Sequence, residues 1–334
     1  MLFGLGVASR NTRGDVLEVF FPAPIVRPPA VVAEFISTAV ANRTASVTAE
    51  VAAKLAELTA ANPTLAAAHR ALAEFDMPLE AVMLPMDDTI QTTAEAYLKL
   101  HLLSHRLALP NSLNLDGIFA KLPNVVWTDA GAIDVTEIGL RQIDARRRGV
   151  PLIVNGVDKF PRMTDYVVPS GVRIADASRI RLGAYLGEGT TVMHEGFINF
   201  NAGAMGPNMI EGRISQGVIV HPHSDLGGSS STMGTLSGGG NISITIGRNC
   251  LIGANAGTGI PLGDRCTIEA GLYVTAGTRV DVLDENGELV KTVKARELAG
   301  QSDMLFLRNS TTARVECRTN RAAIELNEAL HAHN

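Results

Sequence analysis

Aromatic side chains are scarce in this chain of 334 residues, which has one Trp, four Tyr and ten Phe. A core built mainly on large rings is thereby excluded. Cysteines number three (Cys250, Cys266 and Cys317), an odd count with no Cys-x-x-Cys pair. That excludes a disulfide framework and a zinc knuckle and points to a reducing compartment. No apolar run approaches the roughly 20 residues that a membrane-spanning helix needs. An excess of basic charge is also missing: the net charge is −5, whereas a nucleic-acid binder normally carries a basic face. The order Leu2-Phe3-Gly4-Leu5-Gly6 followed by Arg10 does not match a secretory signal, so the cytoplasm is the expected compartment. What the chain has in quantity is glycine, 32 residues, which suits tight and repetitive backbone turns.

Three territories follow from local pattern. Residues 1–150 read as an α/β domain. A strand is expected at 16–21, ended by the prolines at 22, 24, 28 and 29. An Ala-rich helical stretch covers 30–75 with a break at Asn62-Pro63. A helix over 92–107 carries Leu98, Leu102 and Leu107 among its apolar positions, and another starts near Asp134, spaced from Glu137 as in a capping box, and ends at Gly149. Residues 284–334 form a C-terminal segment in which Asn286-Gly287 suits a hairpin turn. A final amphipathic helix is expected over 322–331.

Residues 151–283 are dominated by a six-residue period. Val168, Ile174, Ile180, Leu186, Val192 and Ile198 fall at unbroken intervals of six. Ile214, Val220 and Leu226 resume the series, as do Ile244, Cys250, Ala256, Leu262, Ile268, Val274 and Val280. This period fits neither an α-helix nor a two-residue strand alternation. It fits a chain that turns a corner every six residues and directs aliphatic side chains into a triangular prism of stacked parallel strands, a β-helix. The register gains four residues between Ile198 and Ile214, assigned to an insertion around 201–207. A Gly/Ser-rich excursion interrupts it at 227–240. Insertions in a solenoid map to surface loops, often on the binding side.

Several stretches together resemble one family: AYLKLHLLSHR (96–106), DKFPRMTDYVVP (158–169), MHEGFINFNAG (193–203), MIEGRIS (209–215), GTLSGGGN (234–241), IGANAG (252–257), EAGLYVTAGT (269–278) and VKARELAG (293–300). They look like the longer-chain branch of the tetrahydrodipicolinate N-succinyltransferases. The resemblance implies a left-handed parallel β-helix, an exception to the right-handed rule for parallel crossovers, assembled as a homotrimer. It also implies transfer of succinyl from succinyl-coenzyme A to the amine of a ring-opened dicarboxylate acceptor.

Residue roles come from the same resemblance. Glu211 matches the catalytic glutamate, as general base or as acyl-anhydride nucleophile. Arg213 matches a substrate-site residue suited to clamping a carboxylate. Gly228, Ser231, Ala254, Glu269, Ala270 and Gly277 match positions that contact the acyl donor. Lys294 and the segment Leu307, Arg308, Asn309 and Ser310 match the far end of that site, where cations could meet coenzyme A phosphates. Glu195 matches a glutamate that holds magnesium on a three-fold axis in some members. Ser178 stands where the partner aspartate is expected, and serine is a poor magnesium ligand.

Other readings remain open from sequence. An acetyl-coenzyme A-dependent acyltransferase on the same prism differs from a succinyltransferase in one donor carboxylate. A γ-type carbonic anhydrase also uses this fold and needs three histidines on zinc, with His194, His221 and His223 as candidates.

Overall fold

The computed structural model describes residues 1–235 and 243–319, so the helix expected over 322–331 and part of the Gly/Ser-rich excursion lie outside the described residues. Two compact units form. One comprises residues 1–108, 112–161 and 165–167, the other residues 109–111, 162–164 and 168 onward.

The N-terminal unit is built on an antiparallel sheet in the order Val16–Phe20, Leu2–Arg10, Leu79–Leu84, Thr44–Val47, with Ile25–Val26 also pairing on the N-terminal strand. Its core gathers Phe3, Leu5, Ile36, Leu55 and Leu79 beneath helices Ala30–Ala39, Ala49–Leu58 and Pro63–Leu72. The helical stretch expected over 30–75 is thus interrupted, because Thr44–Val47 pairs with the buried strand Leu79–Leu84. The Asn62-Pro63 break is present: Asn62 Oδ1 accepts the Leu65 N–H at 3.2 Å, and proline opens the helix.

Helix Thr93–Ser104 is capped by Thr92, whose hydroxyl accepts the Glu95 N–H. It is buried on all sides, and its charged residues are matched individually. Glu95 accepts from Arg43 and from the Gln91 N–H, and the Lys99 ammonium sits 2.6 Å from Asp87. Asp134 caps no helix. Its Oδ1 takes the N–H and hydroxyl of Thr136, so the next helix begins only at Ile138.

The second unit is the parallel three-sided β-helix. On the first face Leu186, Ala204, Val220, Ile246 and Leu262 stack coil upon coil. On the second face the stack is Ile174, Val192, Ile210, Leu226, Ile252 and Ile268, extended by Phe306. On the third it is Ile180, Ile198, Ile214, Thr232, Thr258 and Val274. From Ile180 to Val280 every side chain of the six-residue series is buried. At roughly 25 cal/mol per Å² of apolar surface, this repeated burial is the main driving force for the unit. Val168, 76% exposed, lies outside the stack.

The register differs from expectation at one instructive place. Residues 201–207 contain no insertion, since Ala204 and Ile210 keep the six-residue step and both are fully buried. The irregularity is a shortened corner between Ile210 and Ile214, which pair with Val192 and Ile198 on adjacent faces of the preceding coil, where the same corner spans six residues. A second short corner separates Thr258 from Leu262. Ile244, Cys250 and Ala256 are also inward-facing, two residues ahead of the stacked Ile246, Ile252 and Thr258, as strand alternation allows.

After Val280 the chain leaves the coil pattern. Strands Arg279–Leu283 and Leu289–Lys294 form an antiparallel hairpin whose turn has Gly287 at φ +83°. Strand Met304–Arg308 continues the second face, and Val315–Thr319 joins it to the hairpin. No helix among the described residues is long and apolar enough to cross a membrane.

Candidate functional site

The corner between the second and third faces collects most of the sequence-expected residues, one group per coil. Ser178 lies on the first coil, Glu195 on the next, then Glu211 on the shortened corner, Gly228, Ala254, Glu269 with Ala270, and finally Leu307 to Ser310. Backbone bonds tie these corners together. Phe197 N–H donates to Gly212 O (3.0 Å), Arg213 N–H to Ser230 O (2.8 Å), Asn255 N–H to Gly228 O (2.9 Å) and Gly271 N–H to Ala254 O (2.8 Å). A repeat of one coil therefore becomes a line of side chains along one edge of the prism.

Around Glu211 the packing is close because the residues are small. A Cβ at Gly212 would lie 2.1 Å from Ser230 Oγ, so this corner admits only glycine without displacement. A Cβ at Gly228 would lie 3.4 Å from Glu195 Oε2 and 3.6 Å from Glu211 Oε2. Gly228 thus leaves open the space that two carboxylates face. Glu195 is oriented by Ser229, whose hydroxyl donates to Glu195 Oε2 at 2.8 Å. Arg213 follows Phe197 in the outward row of the third face, and its Nε and Nη2 donate to Ser231 Oγ of the next coil at 3.1 and 2.7 Å. A hydroxyl partner leaves the guanidinium charge unneutralised.

Beyond Gly228 the edge is lined by exposed Ala254 and Ala270, and Gly253 lets its coil approach the next, since a Cβ there would meet Ala270 N at 2.5 Å. Glu269 is committed to structure: its Oε2 accepts the Arg308 N–H at 2.7 Å. Asn309 is likewise used internally. Its side chain donates to Glu316 (2.6 Å) and accepts from the N–H groups of Thr311 and Thr312. Gly277 and Lys294 are not on this edge. They come together at the end of the third face, where Arg279 pairs with Lys294 and Ala295 N–H donates to Thr278 O.

The residues matched to a magnesium site are each engaged with a neighbour in this chain. Ser178 donates its hydroxyl to Asp176 Oδ1 at 2.7 Å, and that bond holds the Asp176 carboxyl below its usual range. Glu195 accepts from Ser229. Each chain thus offers one carboxylate and one engaged hydroxyl, and a hydroxyl is a weaker magnesium donor than a second carboxylate. The zinc reading is set aside within the chain. His194 sits on the Glu195 corner, whereas His221 and His223 occupy a different corner, between the first and second faces. Among the described residues no group of three His, Cys, Asp or Glu could hold a metal ion.

Sequence reasoning missed Ser229, one hydroxyl in a Gly/Ser run with nothing to distinguish it. It also missed Arg179 and Phe197. Arg179 donates to the backbone oxygens of Glu195 (2.8 Å) and Gly196 (3.3 Å), and its guanidinium lies 5.8 Å from the Phe197 ring centre. Nothing in their spacing marks them, because they meet only when coils stack.

Comparison with known proteins gives the same picture over the full length. Residues 122–162 match the family model described as the middle region of tetrahydrodipicolinate N-succinyltransferase, and residues 243–276 match the hexapeptide repeat of succinyl-transferase. The 2,3,4,5-tetrahydropyridine-2,6-dicarboxylate N-succinyltransferase of Pseudomonas putida is 59% identical over 340 aligned residues, covering 100% of this chain and 99% of its own. This chain belongs to the tetrahydrodipicolinate N-succinyltransferase family. A Vibrio cholerae relative of the same name is 55% identical, with 99% of this chain and 98% of its own covered. The fold of the family is seen in a Campylobacter jejuni crystal structure provisionally named a 2,3,4,5-tetrahydropyridine-2-carboxylate N-succinyltransferase. It superposes with a TM-score of 0.87 at 29% identity over 96% of this chain and 93% of that one. The three-sided prism is accordingly the left-handed hexapeptide-repeat β-helix of this family.

Proposed function

We propose that the chain transfers the succinyl group of succinyl-coenzyme A to the amine of ring-opened tetrahydrodipicolinate, acting as a cytoplasmic homotrimer. The observation that carries this reading is Glu211 on a shortened prism corner, facing the space left by Gly228, in a chain that matches N-succinyltransferases from end to end. The acceptor nitrogen attacks the thioester carbonyl, the C–N bond forms and the C–S bond breaks, and coenzyme A leaves as a thiol. Glu211 takes the proton that the nitrogen must lose. Arg213, in no ion pair among the described residues, faces a substrate carboxylate. The small residues Gly228, Ala254 and Ala270 admit the extended pantetheine arm along the edge. Lys294, with Gly277 at the end of the third face, and Arg308 with Leu307, Asn309 and Ser310, supply the cationic end for coenzyme A phosphates.

Thiol release measured with succinyl- and acetyl-coenzyme A against tetrahydrodipicolinate tests the proposal. Rapid release with the succinyl donor, slower release with the acetyl donor and a loss of about 10²- to 10⁴-fold in Glu211→Ala are expected. No release with either donor sinks the reading. A glutamyl adduct trapped from enzyme and succinyl-coenzyme A alone would assign Glu211 a nucleophilic role instead of a basic one.

A further inference from the structure

The third face carries an outward group that the roles given above leave unused. Phe197 stands in register with Arg213 of the next coil, and two further guanidinium groups approach its ring, Arg179 at 5.8 Å and Arg181 at 5.9 Å from the centroid. Both distances are within cation–π range. Cations gathered beside one ring repel each other unless an anion joins them. Arg181 donates to Asn199 Oδ1 at 3.1 Å. Arg179 and Arg213 are in no ion pair among the described residues; their partners are backbone oxygens of residues 195 and 196 and the Ser231 hydroxyl. Asp176 feels the charge of Arg179, but that carboxylate is occupied chiefly by the hydroxyl and N–H of Ser178.

Position then decides what this group can meet. Arg179 is held to the backbone of Glu195, the residue whose carboxylate shares the Gly228 space with Glu211. Its Nη1 has no partner among the described residues, so the guanidinium keeps donors for a ligand while two bonds hold it in place. We propose that Arg179 binds a carboxylate of the amine acceptor, with the Phe197 ring packing on the acceptor's carbon chain. Arg179 is thereby a determinant of specificity for a diacid over a monoacid amine. The inference rests on the acyl-transfer reading, which supplies an acceptor with two carboxylates. An ordered guanidinium over a ring loses little freedom on binding and is suited to a planar carboxylate.

The test is a steady-state comparison of wild type, Arg179→Ala and Arg179→Lys, with both substrates varied. For Arg179→Ala the expected result is a KM for tetrahydrodipicolinate raised about 10- to 100-fold while the KM for succinyl-coenzyme A is unchanged. Arg179→Lys, a point charge without the planar fork, restores part of the loss. A purely structural role would move both KM values together with the thermal midpoint. Calorimetric binding of pimelate, a seven-carbon diacid with no amine, to wild type and Arg179→Ala gives a second readout independent of turnover. Absence of thiol release by the wild-type enzyme tells against acyl transfer. Equal acceptor KM values, or equal pimelate affinities, for wild type and Arg179→Ala overturn the assignment of Arg179.

Discussion

At the scale of single residues, the two glycines beside Glu211 do different work, and the difference is measurable. Gly212 is pinned: an added Cβ meets Ser230 Oγ at 2.1 Å and Ser230 O at 2.7 Å, and that carbonyl already accepts the Arg213 N–H. The backbone must therefore shift, so Gly212→Ala is expected to cost about 1–3 kcal/mol. Gly228 is open, since its added Cβ would make only ordinary contacts with the carboxylates of Glu195 and Glu211. Gly228→Ala is expected to keep the wild-type melting temperature while lowering kcat/KM, because the methyl group fills the space a substrate would enter. Thermal melts and kinetics on the two variants check this, and equal melting temperatures would contradict it. Glu211 and Arg213 were legible as a motif. Ser229 and Arg179 were not, since their significance lies in a neighbour on another coil, 34 residues and two coils from Ser229, 16 residues and one coil from Arg179.

At the scale of elements, buried histidines on two helices of the N-terminal unit set a pH dependence. In helix Thr93–Ser104, His101 is held neutral: its Nδ1–H donates to Tyr97 O at 2.8 Å and its Nε2 accepts the Phe21 N–H at 3.2 Å. Burial lowers its pKa to about 3, and burial lowers that of His69, on helix Pro63–Leu72, to about 4. In the unfolded chain both titrate near 6.5. As pH falls, the unfolded state therefore takes up protons first, and stability present above pH 6.5 is lost progressively down to about pH 3. Glu18 and Glu80, whose carboxyls burial pushes up, act in the opposite sense. The histidine contribution is best isolated by comparison with His69→Leu. Denaturant unfolding at pH 7.5, 6 and 5 is expected to show a shallower acid loss in that variant, and parallel curves would contradict the assignment. The helix itself was readable from Thr92 and its leucines. The strand Thr44–Val47 was hidden in an Ala-rich stretch, because its pairing with Leu79–Leu84 overrides local propensity.

At the scale of the whole molecule, the proposed trimer gives a direct expectation. Light scattering on the eluting protein should report about three times the 35.3 kDa chain at micromolar concentration. A single-chain mass would contradict the proposed trimer. The three-sided prism was legible because each coil repeats one instruction, an aliphatic side chain every sixth position, and burial leaves few other ways to satisfy it.

The sequence by itself determined the coil period, the inward residues and the motif that holds Glu211, since these depend on order along the chain and on which side chains avoid water. Only the tertiary structure decided that the irregularity is a corner shortened at Ile210–Ile214, and that Glu195, Glu211 and Gly228 share one space. It likewise decided that Gly277 and Lys294 lie apart from them and that Arg179 reaches Phe197. Those relations depend on how coils stack, and stacking brings together residues that have no fixed spacing once a corner is shortened or a loop intervenes.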